Sequence, residues 1–169
     1  MAKLRGKPVA GSRVEMVEVV LPNDANLLGN ILGGKVMHLI DIAGAIVAHR
    51  HSRSAVVTVS VDNLDFAHPI RVGQLIILRA VVTRAFHTSL EVAVKVFRED
   101  PVTGERLQTS SAFVTYVALD EKGRPKTVPP VIAKTAEEKR EYREALLRRR
   151  LRLAAAARAH RLYFGPGMK

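Results

Sequence analysis

Residues 22–51, PNDANLLGNILGGKVMHLIDIAGAIVAHRH, join a polar loop to a long apolar helix, and this pair decides the fold. Between Lys35 and about His51 one apolar stripe has helical spacing, formed by Val36, Leu39, Ile40, Ala43 and Val47. A second stripe consists of Met37, Gly44, Ala45 and Ala48. A helix that is apolar or small on nearly every side is buried, and its Gly and Ala positions let another backbone come close. We therefore predict a buried helix with one acidic residue, Asp41, in its middle.

Strand patterns lie on both sides of this helix. Before the loop, residues 14–20 (VEMVEVV) are rich in β-branched side chains and predict a first strand. After the helix the apolar periodicity becomes two, in four runs at residues 55–66, 74–86, 88–97 and 107–120. Proline and glycine mark turns between the runs, and short connections favour antiparallel neighbours. The polar and glycine-containing residues 23–34 predict an ordered loop with tight turns.

The order of these elements predicts the α+β class, with about five antiparallel strands in a sheet that curls around the helix. An apolar helix must be covered on every side, and one sheet cannot enclose it. Its small-residue face therefore predicts a second copy of the chain, most commonly in a twofold dimer. After a linker at 121–130, helix-forming residues from 133 to about 163 predict a C-terminal helix. We place one domain at 12–132 and a basic helical extension at 133–169.

Composition narrows the possible chemistry and location. The 169 residues contain no cysteine, which excludes disulfides, thiolate metal ligands and a cysteine nucleophile. No apolar stretch reaches the roughly 18 residues that a bilayer span needs. The first ten residues are basic but lack the apolar block of a secretory signal. We expect a cytoplasmic protein with no membrane contact.

The net charge of +11 is concentrated near the C-terminus. From residue 134 onward there are 11 Lys and Arg against 4 Asp and Glu, which leaves +7 there and +4 in residues 1–133. A strongly positive protein attracts polyanions, so nucleic acid and phosphorylated ligands are possible on charge alone. The basic run RRRLR at 148–152 has few aromatic neighbours for base stacking. A solvated helix that packs on the assembly or meets phosphates is therefore the favoured interpretation, and nucleic acid binding is not expected.

Residues 22–51 are followed by two further blocks, VTVSVDNLDFAHPIRVGQLIIL at 57–78 and HTSLEVAVKVF at 87–97. In this order the three blocks resemble the acyl-CoA thioesterases of the hotdog superfamily, in the branch of the bacterial and brain-type acyl-CoA hydrolases. The resemblance covers about residues 12–132 and implies a hotdog fold whose dimer forms one continuous sheet, commonly within a hexamer of three dimers. It also implies hydrolysis of acyl-CoA to fatty acid and CoA, as part of fatty acid metabolism. CoA is then bound only as part of the substrate or product, and no other cofactor is expected.

The resemblance also assigns roles to individual residues. It places the catalytic asparagine at Asn30 in GNILGG and the catalytic aspartate at Asp41 in HLID. The residues that it implies beside the pantetheine channel are Val57, Thr58, Val59, Ser60 and Val61. It implies that Thr88 and Ser89 contact the nucleotide end of CoA. The phosphates of CoA also require cations nearby, and the candidates are Arg53, Arg71, Arg84 and Lys95.

Thioester hydrolysis needs an activated nucleophile and donors aimed at the carbonyl oxygen, which becomes negative. Gly33 and Gly34 begin the helix, so their N–H groups lack intrahelical partners and can form an oxyanion hole. Asp41 lies seven residues beyond Gly34, about 10 Å along the helix axis. If both act on one carbonyl, Asp41 must reach the partner subunit's loop, which gives two composite sites per dimer. We expect Asp41 to activate water as a general base or to attack directly, while Asn30 orients the water or the carbonyl.

Simpler interpretations of the two central residues stay open at this stage. A buried helix aspartate is commonly a structural hydrogen-bond acceptor, and Asn30 can be a turn residue of the loop. The first rival function is a nonenzymatic acyl-CoA-binding protein on the same fold, because a fold alone does not define an activity. The second rival is a nucleic-acid-binding protein that uses the basic tail.

The other polar residues carry weaker signals. His38, His49 and His51 lack acidic partners at metal-ligand spacing, so we expect surface or helix-end histidines and no metal site. Asp62 and Asp65 alternate with apolar residues, which favours solvated or edge-facing positions. The pair at 110–111, two serines, lacks the surroundings of a nucleophile elbow and is interpreted as part of a strand.

Overall fold

Residues 4–62 and 64–164 of a computed structural model form the described part of the protein. Its strands are β1 (Lys7–Pro8), β2 (Val14–Val19), β3 (Ala55–Asp62), β4 (Leu75–Ala85), β5 (Ser89–Glu99), β6 (Arg106–Leu119) and β7 (Val131–Ile132). Its helices are α1 (Gly33–Ser52) and α2 (Ala136–Phe164). The predicted order of strand, long helix, four strands, linker and terminal helix is confirmed. Residue 63 of the first predicted run and residues 165–169 of the predicted extension lie outside the described residues.

The five long strands form one antiparallel sheet in the order β2-β4-β5-β6-β3. Alternate side chains of each strand point to the same face of a sheet, so one face carries Leu78, Val94 and Val114. These side chains are fully buried together with Leu39 and Val47 of α1. The sheet therefore wraps α1, as the sequence predicts for the α+β class. None of the described helices is both long enough and apolar enough to cross a membrane.

The edge strand β3 contains a bulge at its centre. Thr58 lies opposite Tyr116 of β6, whereas Ser60 lies opposite Thr115, so one additional residue, Val59, is inserted in β3. A bulge bends its strand and redirects the side chains beside it. It brings Thr58 to the inner face of the sheet, towards α1, while Ser60 and Asp62 lie on the outer face.

Helix α2 packs against the outer face of the sheet through its arginines. The guanidinium of Arg148 lies 3.7 Å from the ring centroid of Phe113 and donates to the fully buried Glu91. Arg152 donates to Asp62 at 2.6 Å. Asp62 ends the edge strand β3, so the expected edge position is confirmed, but its carboxylate is paired with an arginine 90 residues away in the sequence.

A small parallel pair, β1 with β7, closes the C-terminal end of α1. His51 lies beneath it in the last turn of α1 and is 1% exposed, so of the two expected positions, surface or helix end, only the helix end is confirmed. His51 Nε2 lies 2.9 Å from the carbonyl of Pro129, and a carbonyl can only accept, so Nε2 carries the hydrogen. His51 Nδ1 is buried without a hydrogen-bond partner among the described residues. Burial lowers the pKa of His51, and the nearby charge of Lys7 lowers this pKa further against the opposing effect of the Pro129 hydrogen bond.

This geometry predicts an acid-dependent loss of stability that comes from His51. The unfolded chain binds the His51 proton more tightly, so the contribution to stability is present above pH 6.5 and is lost as the pH falls towards the lower folded pKa. His51→Gln keeps an N–H donor for Pro129 but does not titrate. Between pH 7 and pH 5 the thermal midpoint of the wild type should fall more than that of His51→Gln. Parallel curves for the two proteins would contradict the assignment of a buried neutral histidine.

Candidate active site

Asp41 lies where α1 crosses the strands β3 and β6. Its side-chain oxygen Oδ1 accepts a hydrogen bond from Thr58 Oγ1 at 2.6 Å. The hydroxyl of Tyr116 donates to the main-chain oxygen of Asp41 at 2.9 Å and lies 3.4 Å from Oδ1. The second carboxylate oxygen, Oδ2, makes no hydrogen bond within the described residues. The carboxylate is thus fixed through one oxygen and can accept a water proton through the other.

Tyr116 holds α1 close to the sheet. Its side chain is fully buried, and burial raises the pKa of the Tyr116 hydroxyl, which the negative charge of Asp41 raises further. The hydroxyl therefore stays protonated and acts as a donor. Gly44 lies directly against it, and a Cβ at that position would overlap the hydroxyl oxygen. The small-residue face of α1, which the sequence analysis assigned to a second copy of the chain, thus packs at Gly44 against a strand of the same subunit.

The start of α1 offers free backbone donors. The residue before the helix, Leu32, makes no capping hydrogen bond through its side chain. Within the described residues no group accepts from the N–H of Gly33 or Gly34. A Cβ added to Gly34 would meet no atom within 4 Å, so the space beside it is open. These features suit the predicted stabilisation of a negative oxygen.

The loop before α1 is ordered by Asn26. Asn26 Oδ1 accepts hydrogen bonds from the N–H groups of Leu28 and Asn30, at 2.9 and 3.2 Å. The N–H of Asn26 donates to the carbonyl of Asn30 at 2.8 Å, and Gly29 has a positive φ of 74°. Asn30 also forms an isolated backbone bridge with Arg71. The loop therefore holds a second ordered asparagine, Asn26, besides Asn30, which alone was singled out in the sequence analysis.

The predicted pantetheine-flanking residues all lie in β3. The side chains of Val57, Val59 and Val61 are exposed along this edge strand. Thr58 contacts Asp41, whereas Ser60 donates to Asp62 on the outer face. Thr88 precedes β5, and its carbonyl accepts from the N–H of Ala118 at 2.9 Å, while Ser89 is the first residue of β5.

The cations suggested for CoA phosphates lie in different places. Arg84 donates to the carbonyl of Tyr142, and Lys95 pairs with Glu137, so both are engaged with α2. Arg71 lies beside Asn30, and Arg53 ends α1 with a φ of 55°. Within the described residues no group of three or more His, Cys, Asp or Glu side chains could hold a metal ion.

A sheet wrapped around a helix that carries this aspartate defines a domain of the hotdog type. The sequence model of the thioesterase superfamily matches residues 28–105. YkhA of Bacillus subtilis, an uncharacterized acyl-CoA thioester hydrolase, is 42% identical over 127 residues, which are 75% of this chain and 74% of that protein. The chain belongs to the acyl-CoA thioester hydrolases of this superfamily. It spans only 36% of the mouse cytosolic acyl coenzyme A thioester hydrolase, with 37% identity.

Two solved structures are similar over most of the chain. The crystal structure of an apo-hexameric acyl-CoA thioesterase has a TM-score of 0.88 at 45% identity and covers 91% of this chain and 99% of its own. The acyl-CoA hydrolase of Staphylococcus aureus, in complex with butyryl-CoA, CoA and CoA disulfide, has a TM-score of 0.87 at 33% identity. It covers 92% of this chain and 95% of its own.

The same Staphylococcus aureus hydrolase was also solved with alanine in place of an asparagine, an aspartate and a threonine. In its numbering the aspartate lies 15 positions after the asparagine, and the threonine lies 17 positions after the aspartate. In this chain the spacing from Asn26 to Asp41 is also 15, and from Asp41 to Thr58 it is also 17. The spacing from Asn30 to Asp41 is 11.

The contact between Gly44 and Tyr116 predicts a steric requirement. Gly44→Ala should lower the free energy of unfolding by about 1–3 kcal/mol, because the added methyl group forces Tyr116 out of its place. Tyr116→Phe removes the nearest atom, so the double variant should recover part of this loss relative to Gly44→Ala alone. Denaturant unfolding of both single variants and the double variant measures the coupling. A Gly44→Ala protein as stable as the wild type would contradict the packing.

Proposed function

We propose that this hydrolase cleaves acyl-CoA thioesters with Asp41 as the general base, at sites shared between two subunits. The observation that carries the proposal is the Asp41 carboxylate, fixed through Oδ1 by Thr58 while Oδ2 is open. Family membership supports the acyl-CoA substrate, and the mouse relative named cytosolic supports a cytoplasmic location. A direct attack by Asp41 on the thioester is the alternative role for the same group.

In the proposed reaction Asp41 removes a proton from water as its oxygen adds to the thioester carbonyl carbon. The carbonyl oxygen becomes negative and is stabilised by the N–H groups of Gly33 and Gly34 of the partner subunit. When the tetrahedral intermediate collapses, the C–S bond breaks and the sulfur of CoA takes the proton from Asp41. The products are the free acid and CoA. Every proton transfer uses the chain's own carboxylate, and no cofactor takes part.

Two asparagines are candidates for orienting the water or the carbonyl. Asn30 is the choice from the sequence, whereas the spacing to Asp41 and Thr58 in the Staphylococcus aureus hydrolase favours Asn26. Asn26 uses its Oδ1 atom within the loop, which leaves its amide N–H group available to a ligand. We therefore propose that Asn26 fills the role predicted for Asn30.

Two exposed apolar surfaces support the proposal that a second subunit contacts this one. In the loop before α1, Leu27 and Leu28 are 106% and 84% exposed. The edge strand β3 exposes a row of valines and has unpaired backbone groups on one side, which another strand can cover. We propose a dimer joined at β3, and the hexameric relatives support a trimer of such dimers.

Release of free thiol from short, medium and long acyl-CoAs tests the hydrolase activity and the role of Asp41 as its general base. Asp41→Ala should lower kcat by about a thousandfold in a protein that keeps its assembly. Comparable turnover in wild type and Asp41→Ala would remove Asp41 from the mechanism. Absence of thiol release by the wild-type protein on every acyl-CoA would instead support the nonenzymatic acyl-CoA-binding rival.

The two asparagines are tested against each other in the same assay. Asn26→Ala should lower kcat by about a hundredfold, because it removes a donor or water ligand at the reacting carbonyl. Asn30→Ala should stay within about threefold of wild type, as expected for a partly exposed residue outside the chemistry. The reverse ranking would return the role to Asn30.

Mixed assemblies test whether each site draws on two subunits. Co-expression of Asp41→Ala and Asn26→Ala chains yields dimers in which one composite site is intact and the other carries both substitutions. Random pairing should restore about a quarter of the wild-type activity, although each variant alone is nearly inactive. Activity no higher than the sum of the two parents would place the site within one subunit.

A further inference from the structure

The outer face of the sheet carries a charged cluster behind the Asp41 site. We define it as the outer cluster, and its members are Glu91, Asp62, Arg148 and Arg152. Glu91 is fully buried, and its Oε1 atom accepts from Thr83 at 2.7 Å and from Arg148 at 2.9 and 3.1 Å. Arg152 Nη1 donates to Asp62 Oδ2 at 2.6 Å and lies 3.9 Å from Glu91 Oε2. Helix α2 is thus fixed to two strands, β5 and β3.

Asp62 connects this cluster to the bulge of β3. Its other oxygen, Oδ1, accepts from Ser60 Oγ at 3.3 Å, and Ser60 is the first paired residue after the bulge. On the opposite side of the bulge Thr58 donates to Asp41. The irregular segment is therefore tied on the inner face by Thr58 and on the outer face by Ser60 and Asp62.

The position of β3 in the sheet makes this second tie important. It is the last strand in the order, so among the described strands of one subunit only β6 pairs with it. A bulge interrupts the backbone ladder at the point where Thr58 must be placed. Asp62 pairs in register with Phe113 of β6, and Phe113 lies under the guanidinium of Arg148. Helix α2 therefore braces both strands a few residues beyond Thr58.

We propose that Arg152, through Asp62, is a positioning residue that holds the β3 bulge so that Thr58 stays on Asp41. The proposal rests on the proposed function only for the role of Asp41. Arg152 itself lies across the sheet from the carboxylate and touches no reacting atom. Arg152 links the basic C-terminal helix to the geometry of the site. From the sequence alone, this helix was expected to be solvated and to pack on the assembly or meet phosphates.

The first test separates turnover from substrate binding. Arg152→Ala should lower kcat by about tenfold, since small misplacements of catalytic groups are costly, and should leave KM within about twofold. Arg150→Ala is the matched control, because it removes an exposed arginine from the same helix that has no ion pair within the described residues. This control should keep kcat within about twofold of wild type. Arg152→Lys keeps a cation for Asp62 and should recover most of the lost kcat.

A double-variant cycle shows whether Arg152 acts through Thr58. In a Thr58→Ala background, adding Arg152→Ala should change kcat by less than about twofold, because the group to be positioned is already gone. An undiminished tenfold loss in that background would mean that Arg152 only supports the fold, and the proposal would be overturned. If Arg152→Ala does not assemble, the same double-variant cycle is measured with Asp62→Asn in its place. This substitution keeps the size of the side chain and removes its charge.

The outcomes distinguish this inference from the proposed function. If Asp41→Ala is inactive but Arg152→Ala and Arg150→Ala have equal kcat values, only the proposed role of Arg152 is overturned. An active Asp41→Ala protein would overturn the proposed function, and a kcat loss specific to Arg152→Ala would then concern a different reacting group near Thr58.

Discussion

The close packing of α1 against β6 at Gly44 is the contact on which the rest of the structure depends. Because Gly44 has no side chain, the fully buried Tyr116 can lie against the helix and donate to the main-chain oxygen of Asp41. This contact fixes the rotation of α1 about its axis and turns the Asp41 side chain towards β3. The bulge in β3 then delivers Thr58 to the carboxylate. A larger residue at Gly44 would separate the helix from the sheet and move Asp41 away from Thr58.

The architecture could be predicted from the sequence because it depends on local periodicity. The helix beginning near Gly33 and the alternating strands after Ala55 each contain their signal within one short segment. Tyr116 was missed for the opposite reason, since it is one apolar residue in an alternating strand. Its role arises from register with Thr58 and contact with Gly44, which are distant in the chain. Asp41 could be singled out because a single carboxylate in an apolar helix is conspicuous in the sequence, and its catalytic role was assigned by the family resemblance.

The surroundings of His51 and Asp62 could not be predicted for the same physical reason. The burial of His51 at the end of α1 was not predicted, because the two-residue strands β1 and β7 are too short to produce a pattern. The pairing of Asp62 was not predicted, because its partner Arg152 belongs to a separate element. A charge count along the chain likewise overstates the free positive charge of the terminal helix. Arg148 and Arg152 are paired with carboxylates, and Arg149 lies 4.7 Å from the ring of Phe86.

The two faces of the sheet hold their central carboxylates in opposite ways, and this difference decides which one can take part in chemistry. Glu91 is closed from solvent and surrounded by guanidinium groups, so its charge is used to fix α2. Asp41 is held by the neutral hydroxyls of Thr58 and Tyr116, and one of its oxygens is left open. Neutral donors orient a carboxylate without neutralising it, whereas a paired cation compensates its charge. The proposed transfer of a proton from water to a carboxylate needs the first arrangement, and of these two residues only Asp41 has it.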